Sequence, residues 1–322
     1  MRCTKTEGIV LRQLWLHIGS HKTGTSSLQR ALRFAQTHQL LGDLTYARSP
    51  KSKNINNLIR VKGEGRTLRT RVNFRGLKAV FPTTGNCIAS SEMFFWIHNP
   101  RQVRKLARVL KRQFDEIHIV VYLRRQDSLA ISHRKQAVMR SAAEGFYGLQ
   151  LSALPTYQEH FDHYFNYDQK LRIWADAFGP DSLHVRKFEK SALFKNDTVD
   201  DFFHLLGLTA PDWGEHATPP MSRKQLLVGL YQRSKGIERQ EVIALIKQIE
   251  DSEKLTPSRA QALAFLDHFN DSNRRLAEML GDKTAPQYFD MDLSRYPEVG
   301  NDNVSDAEIE QWIAAHTAPQ LR

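Results

Sequence analysis

Strands alternating with helices over roughly residues 10–190 predict an α/β protein, a parallel sheet flanked by helices with a helical C-terminal extension. Three observations carry this. IHIVVYL at 117–123 is an almost unbroken apolar run, as expected of a central strand in a parallel sheet. LWLHIG at 14–19 runs through a glycine-flanked loop into a segment with Leu28, Leu32 and Ala35 at helical spacing. Beyond about residue 195 only helical patterns follow.

In chain order, the first strand (14–19) leads into a helix over 25–39. CIAS at 87–90 reads as a second strand. Asn99 caps the next helix and Pro100 occupies its first turn, with Val103, Leu106, Leu110 and Phe114 as its apolar stripe. The strand at 117–123 is followed by a helix over 126–140. SLHVRK at 182–187 follows a helix carrying Leu171, Ile173 and Trp174, and forms the fourth strand. Later helices are expected over 199–206, 224–234, 240–250 and 256–280; Ser305 with Glu308 is a capping-box pattern for a final one. The expected organisation is a core over 1–210 with a basic insertion at 46–78, and a helical region over 211–322 packed on it.

The chain has 322 residues, 41% hydrophobic and 25% charged, which excludes a mostly disordered protein. No run of about 18 apolar residues exists, so no transmembrane helix is expected. The N-terminal apolar residues are interrupted by Arg12 and Gln13, unlike a secretory signal. Two cysteines, Cys3 and Cys87, are too few for a disulfide framework or a four-thiolate zinc site, so a reducing, cytoplasmic setting is expected.

The net charge of +11 is localised. Residues 46–78 hold ten basic side chains (Lys51 among them) against the single acid Glu64, in a segment that reads as a loop followed by a short helix. Arg101, Arg104, Lys105, Arg108, Lys111 and Arg112 share one predicted helix. Such fields attract anions, or serve as a solvated surface.

The strongest local pattern is LHIGSHKTGTSSLQRAL at 16–32, a strand, a glycine-flanked loop and a helix opening with hydroxyl residues. Backbone N–H groups at a helix start and the helix dipole favour an anion there. Lys22 adds a positive charge, and Thr23, Thr25, Ser26 and Ser27 add hydroxyls, with Gly24 permitting close backbone approach. A Walker A loop places lysine directly after its second glycine; here Thr25 follows Gly24, and Lys22 precedes it by two.

The HKTGTSS segment resembles the 5′-phosphosulfate loop of sulfotransferases, enzymes that use 3′-phosphoadenosine-5′-phosphosulfate as sulfuryl donor. The resemblance implies a P-loop NTPase-like sulfotransferase fold. It implies that Lys22 contacts the phosphosulfate and assists the leaving phosphate, while Thr23, Gly24, Thr25, Ser26 and Ser27 bind the 5′-phosphate. A second segment, VVYLRRQDSLAISHRKQ at 120–136, is similar to the family's 3′-phosphate motif, an arginine at a strand end and a serine eight residues later: Arg124 and Ser132. Arg125 is the alternative if the register shifts by one. Where the family often has Asn-Pro or Asn-Ala after the arginine, this chain has Arg125-Gln126. Phe188-Glu189 and the segment 270–280 also look like parts of bacterial sulfotransferase-type proteins. The resemblance spans roughly residues 12–210.

Sulfuryl transfer to a hydroxyl needs a general base. Ser-Ser-Glu places Glu92 just past the second strand, similar to the acidic base position of carbohydrate and protein-tyrosine sulfotransferases; a carboxylate at a helix start is the alternative reading. His98 is the substitute base. His21, inside the loop, is placed to touch acceptor or donor. His160 and His163 have a helical metal-ligand spacing without an evident third ligand, His118 reads as a satisfied core histidine, and Arg223 with Lys224, after Pro219-Pro220, reads as a late basic loop for the 3′-phosphate.

The expected activity is sulfuryl transfer to a hydroxyl of a carbohydrate or polysaccharide precursor, with anionic glycans suited to the basic segment and a bacterial cytoplasm as the setting. No metal is required, because a sulfuryl group carries less charge than a terminal phosphoryl. A P-loop kinase or nucleotidase, a basic nucleic-acid-binding protein and a donor-binding protein without turnover are the alternatives. No nucleic-acid motif is present, so no nucleic-acid partner is expected.

Overall fold

The computed structural model describes residues 11–50, 52–214, 221–281 and 286–317. Cys3, most of the N-terminal stretch read against a secretory signal, Lys51 and Pro219-Pro220 lie outside the described residues. The chain forms two compact units interleaved in sequence: one of Met1–Arg60, Arg71–Leu123 and Arg172–Gly214, the other of Val61–Thr70, Arg124–Leu171 and Glu215–Arg322.

The first unit is built on five parallel strands. Strand β1 (Gln13–His17) is followed by helix α1 (Thr25–Thr37) and β2 (Leu44–Tyr46). Ile59–Lys62 (β3) and Arg69–Val72 (β4) pair as a separate two-stranded sheet. Helix α2 (Phe74–Val80), β5 (Asn86–Ser90), α3 (Pro100–Leu110) and β6 (Glu116–Leu123) follow. The segment 46–78, expected as a loop and a short helix, thus begins at the end of a sheet strand and contains a hairpin as well as α2; strands of three or four residues are too short for their alternation to stand out in sequence.

In the main sheet the order is β2-β5-β1-β6-β7, with β7 at Leu183–Lys187. After β1 the chain moves to one side of it, and after β5 it crosses to the other. The carboxyl ends of β1 and β6 therefore flank a topological switch point, where α/β sheets bind ligands. One face of the sheet, through Ile88, Val120 and Tyr122, packs on Leu28, Leu32 and Ala35 of α1. Helix α9 (Thr198–Leu205) joins the same cluster through Val199, Phe202 and Phe203. Strand β6 is buried along nearly all its length, as its apolar run predicts. His118 is satisfied as expected: it stacks on Trp15 with centroids 4.0 Å apart and shares a 3.1 Å hydrogen bond with His184.

Among its described residues, the regular structure of the second unit is helical apart from its share of the hairpin. It holds α4 (Gln126–Arg134), α5 (Gln136–Met139), α6 (Ser141–Tyr147) and α7 (Asp162–Phe165). Helix α8 (Tyr167–Phe178) begins in this unit and ends in the first. The remaining helices are α10 (Arg223–Ser234), α11 (Arg239–Ile246), α12 (Arg259–Asp267), α13 (Asn270–Met279) and α14 (Asp306–Thr317). The core includes Val138, Leu227, Leu230, Val242, Ile246 and Ile309.

Two expected helices are each divided. The helix over 126–140 splits at Lys135 into α4 and α5. The one over 256–280 starts only at Arg259, where Ser258 and Gln261 form a capping box, and breaks at His268–Phe269. There the Phe269 amide bonds to Leu266, one residue short of the α-helical partner, while His268 stacks on Tyr157 with centroids 3.8 Å apart. The apolar spacing continues across the break, so periodicity does not register it. The capping box of Ser305 and Glu308 forms as predicted, with the Glu308 amide donating to Ser305 Oγ.

Candidate functional site

Strand β1 ends at His17, but its backbone stays bonded to β6 through the start of the loop. Ile18 donates to Val120, Tyr122 donates to Gly19 and Ser20 donates to Tyr122, at 2.8–3.0 Å. The chain then turns through His21–Gly24. Lys22 has φ 59° and Gly24 φ 77°. A left-handed non-glycine residue is a strained conformation of the kind that recurs at binding sites. Lys22 is solvent-exposed, whereas Thr23 and Thr25 are buried.

The threonine hydroxyls shape the loop. Thr23 Oγ1 and Thr25 Oγ1 both donate to the Ser20 carbonyl, at 2.8 and 3.3 Å. Ser26 is exposed and Ser27 half-buried at the start of α1. The N-cap of this helix is Gly24; it supplies no side-chain cap, and the first turn holds no acidic residue. The leading amides are thus left by the side chains for an anion. The close approach at Gly24 is made to Thr198: a Cβ added at Gly24 would lie 3.0 Å from the Thr198 side chain.

Glu92 follows β5 as the first residue of a 3-10 turn, Glu92–Trp96, capped by Ser91. It sits directly against the loop. Gly19 has φ 103°, and a Cβ there would lie 3.0 Å from the Glu92 Cα. Glycine at 19 is therefore what lets the loop and the Glu92 backbone share this space. The Gln29 amide donates to Glu92 Oε2 at 3.2 Å and the Asn56 amide to Oε1 at 2.9 Å. Burial pushes the carboxyl above its usual range, opposed by bonds from its own backbone, Asn56 and Gln29. Gln29 and Asn56 were missed from sequence. Gln29 has only its place four residues into α1 to mark it, and nothing in the segment around Asn56 forecasts its approach to β5.

His21 accepts a 3.1 Å hydrogen bond from the Trp96 indole at Nε2. Burial, with the Lys22 charge adding to it, pushes its pKa down to about 3, so it is a neutral imidazole. His98 is half-buried, with Nδ1 3.3 Å from the Trp96 carbonyl.

Arg124 and Ser132 belong to the second unit, at the entry of α4 and two turns along it. The Arg124 carbonyl accepts from the Tyr167 hydroxyl at 2.8 Å. Burial, with Arg295 nearby, lowers the Arg124 guanidinium pKa. Arg125 is committed elsewhere. It makes a two-pronged pair with the fully buried Asp127 at 3.0 Å, and bonds to Asp290 and the Asp292 carbonyl. Asp127 also accepts from Tyr296 and Arg295, each at 2.6 Å. The first residue of α4, Gln126, exchanges paired amide bonds with Asn273 at 2.7 and 3.1 Å, while Ser272 and Arg275 bond to Asp168 at 2.6 and 2.7 Å. The segment 270–280 is thus a brace for the turn that carries Arg124.

Other expectations resolve as structure. Arg223 bonds to the Asn301 carbonyl and to Glu253, and both it and Lys224 lie over the Trp312 ring; these contacts replace the free basic loop read from sequence. His160 Nε2 lies 2.8 Å from the Phe146 carbonyl, and among the described residues no group of three or more potential ligands could hold a metal. No helix of the described residues is long and apolar enough to cross a membrane.

No protein-family model matches the chain. An uncharacterised protein from Archaeoglobus fulgidus is 28% identical over 202 residues, 59% of this chain and 52% of that protein. The chain therefore spans about half the length of that relative. Among solved structures, a sulfotransferase from Alicyclobacillus acidocaldarius matches 75% of this chain and 98% of its own, with 20% identity and a TM-score of 0.39.

Proposed function

We propose that this protein transfers a sulfuryl group from 3′-phosphoadenosine-5′-phosphosulfate to a hydroxyl of a carbohydrate or polysaccharide precursor in the cytoplasm. The observation that carries the reading is the packing of Glu92, a half-buried acid whose carboxyl is pushed above its usual range by burial, against the glycine-flanked loop that bears Lys22. In this reading the acceptor oxygen attacks sulfur and gives its proton to Glu92. The bond between sulfur and the bridging phosphate oxygen breaks in line, and adenosine 3′,5′-bisphosphate leaves. Lys22 and the leading amides of α1 stabilise charge growing on the departing 5′-phosphate. Ser26 and Ser27 add hydroxyl donors, and Thr23, Gly24 and Thr25 hold the loop in shape. Arg124 and Ser132 take the 3′-phosphate. Arg125, the alternative arginine, is held by Asp127 and Asp290. A metal has no role in this reading.

The test is thermal stabilisation by adenosine 3′,5′-bisphosphate without added metal. At about a hundredfold excess over Kd the wild type gains about 2–3 kcal/mol. Lys22→Ala, Arg124→Ala and Ser132→Ala each reduce the gain. A flat wild-type response at millimolar ligand removes the donor assignment, and magnesium-dependent ATP turnover puts a kinase in its place.

A further inference from the structure

We infer that Gln29 and Asn56 are positioning residues for Glu92: their two side-chain amides, carried on different elements, grip the two carboxylate oxygens and hold the group aimed. The inference rests on the reading of Glu92 as the base. Gln29 comes from α1 and donates to Oε2 at 3.2 Å; Asn56 comes from the segment before β3 and donates to Oε1 at 2.9 Å. The two carboxylate oxygens offer four lone-pair sites; with the bond from its own backbone amide, three are taken and one is left for an incoming proton.

The two amides are themselves tied together. Asn54 Nδ2 donates to Gln29 Oε1 at 2.7 Å, and Asn54 Oδ1 accepts the Asn56 backbone amide at 3.0 Å. Gln29 Nε2 also lies 3.3 Å from the Ser90 carbonyl, which fixes its rotamer against β5. The orientation of Glu92 is thus set by three elements at once.

Two features separate this from ordinary packing. The donors are neutral amides: they stabilise a carboxylate without giving it a full counter-charge, so it is held in place yet keeps its basicity. The Asn56 Oδ1 is buried and unpartnered, which costs stability. A buried amide whose oxygen finds no donor is retained here for what its nitrogen does. Other titratable or charged groups around Glu92 are the Tyr46 phenol on β2, with Arg33 and Arg48 beyond it, and His21 and Lys22 on the loop that carries Gly19. Asn56 and Gln29 both donate to the carboxylate.

The test follows the Glu92 carboxyl by carbon-13 NMR titration, assigned by loss of its signal in Glu92→Gln, so it needs no turnover. Asn56→Leu and Gln29→Met each raise the Glu92 midpoint by about one pH unit, because a hydrogen bond to the charged form is lost. Asn56→Asp, of the same shape, raises it further, since two adjacent carboxylates cannot both ionise easily. The acid limb of the kcat/KM profile moves with the midpoint, and stabilisation by adenosine 3′,5′-bisphosphate does not change. A Glu92 midpoint equal to wild type in Asn56→Leu and Asn56→Asp overturns the inference, and these loop variants decide it even where Gln29→Met fails to fold. Absence of sulfated product with the shifts present removes the transfer reading and leaves the positioning intact.

Discussion

At Glu92 the proposed role as base and the stability of the protein pull in opposite directions. Burial raises its folded pKa above the unfolded value of 4.5. Between those two values the folded chain binds more protons than the unfolded one, so stability falls as pH rises through that window. Glu92→Gln is therefore expected to raise Tm relative to wild type at about pH 7.5 and to lose most of that gain at about pH 4, measured by thermal scans at both. The same variant should retain bisphosphate binding and lose about 10²–10⁴ in transfer rate. Glu92 was legible in sequence because Ser-Ser-Glu ends a recognisable strand. Its partners were not, since Gln29, Asn54 and Asn56 are polar residues without local pattern, and only the approach of α1 and the segment before β3 to β5 makes them a site.

The loop depends on an element far along the chain. Thr198, at the start of α9, fills the space beside Gly24, and α9 is anchored through Asp201. This fully buried carboxylate accepts from the Tyr122 hydroxyl at 2.8 Å, Arg186 Nε at 2.9 Å and the Phe194 amide at 3.0 Å. Asp201→Asn removes the charge, breaks the pair and leaves donors poorly matched. Its expected cost is about 2–4 kcal/mol by urea unfolding, with weaker bisphosphate binding as α9 loosens beside the loop. A variant as stable as wild type counts against α9 as the support of the loop. No pattern around Asp201 signals this role, because Tyr122 is 79 residues away in sequence. Four of the five strands of the main sheet and most helices were legible from periodicity, caps and glycines; β2 and the two hairpin strands were not. The divided helices were not, since their breaks preserve the apolar spacing.

In the first unit, the solvent face of α3 carries Arg101, Arg104, Lys105 and Arg108, and Lys111 and Arg112 follow just past its end, all exposed. Helix α2 adds exposed Arg75 and Lys78, and Glu92 is the single acid between residues 65 and 114. This field suits an anionic acceptor. Replacing Arg104, Lys105 and Arg108 together by Gln should weaken binding of an anionic polysaccharide about tenfold at low salt. The difference should vanish near 1 M salt, where the Debye length falls to about 3 Å. Equal affinities at low salt would show that these cations do not contact the acceptor.

The order of local patterns along the chain was enough to establish a parallel α/β core with helices after it, a glycine-flanked strand-to-helix turn at 19–27 and a carboxylate past the next recognisable strand. These depend on neighbouring residues: period, glycine placement and cap chemistry act over a few positions and are written where they act. What needed three dimensions was which groups meet. The placement of Gly19 against Glu92, the amides of Gln29 and Asn56 on its carboxylate, the support of Gly24 by Thr198 and the removal of Arg125 by Asp127 join residues distant in sequence or turned by a particular backbone path. Such meetings arise from packing, which selects among many combinations that the same periodicities allow.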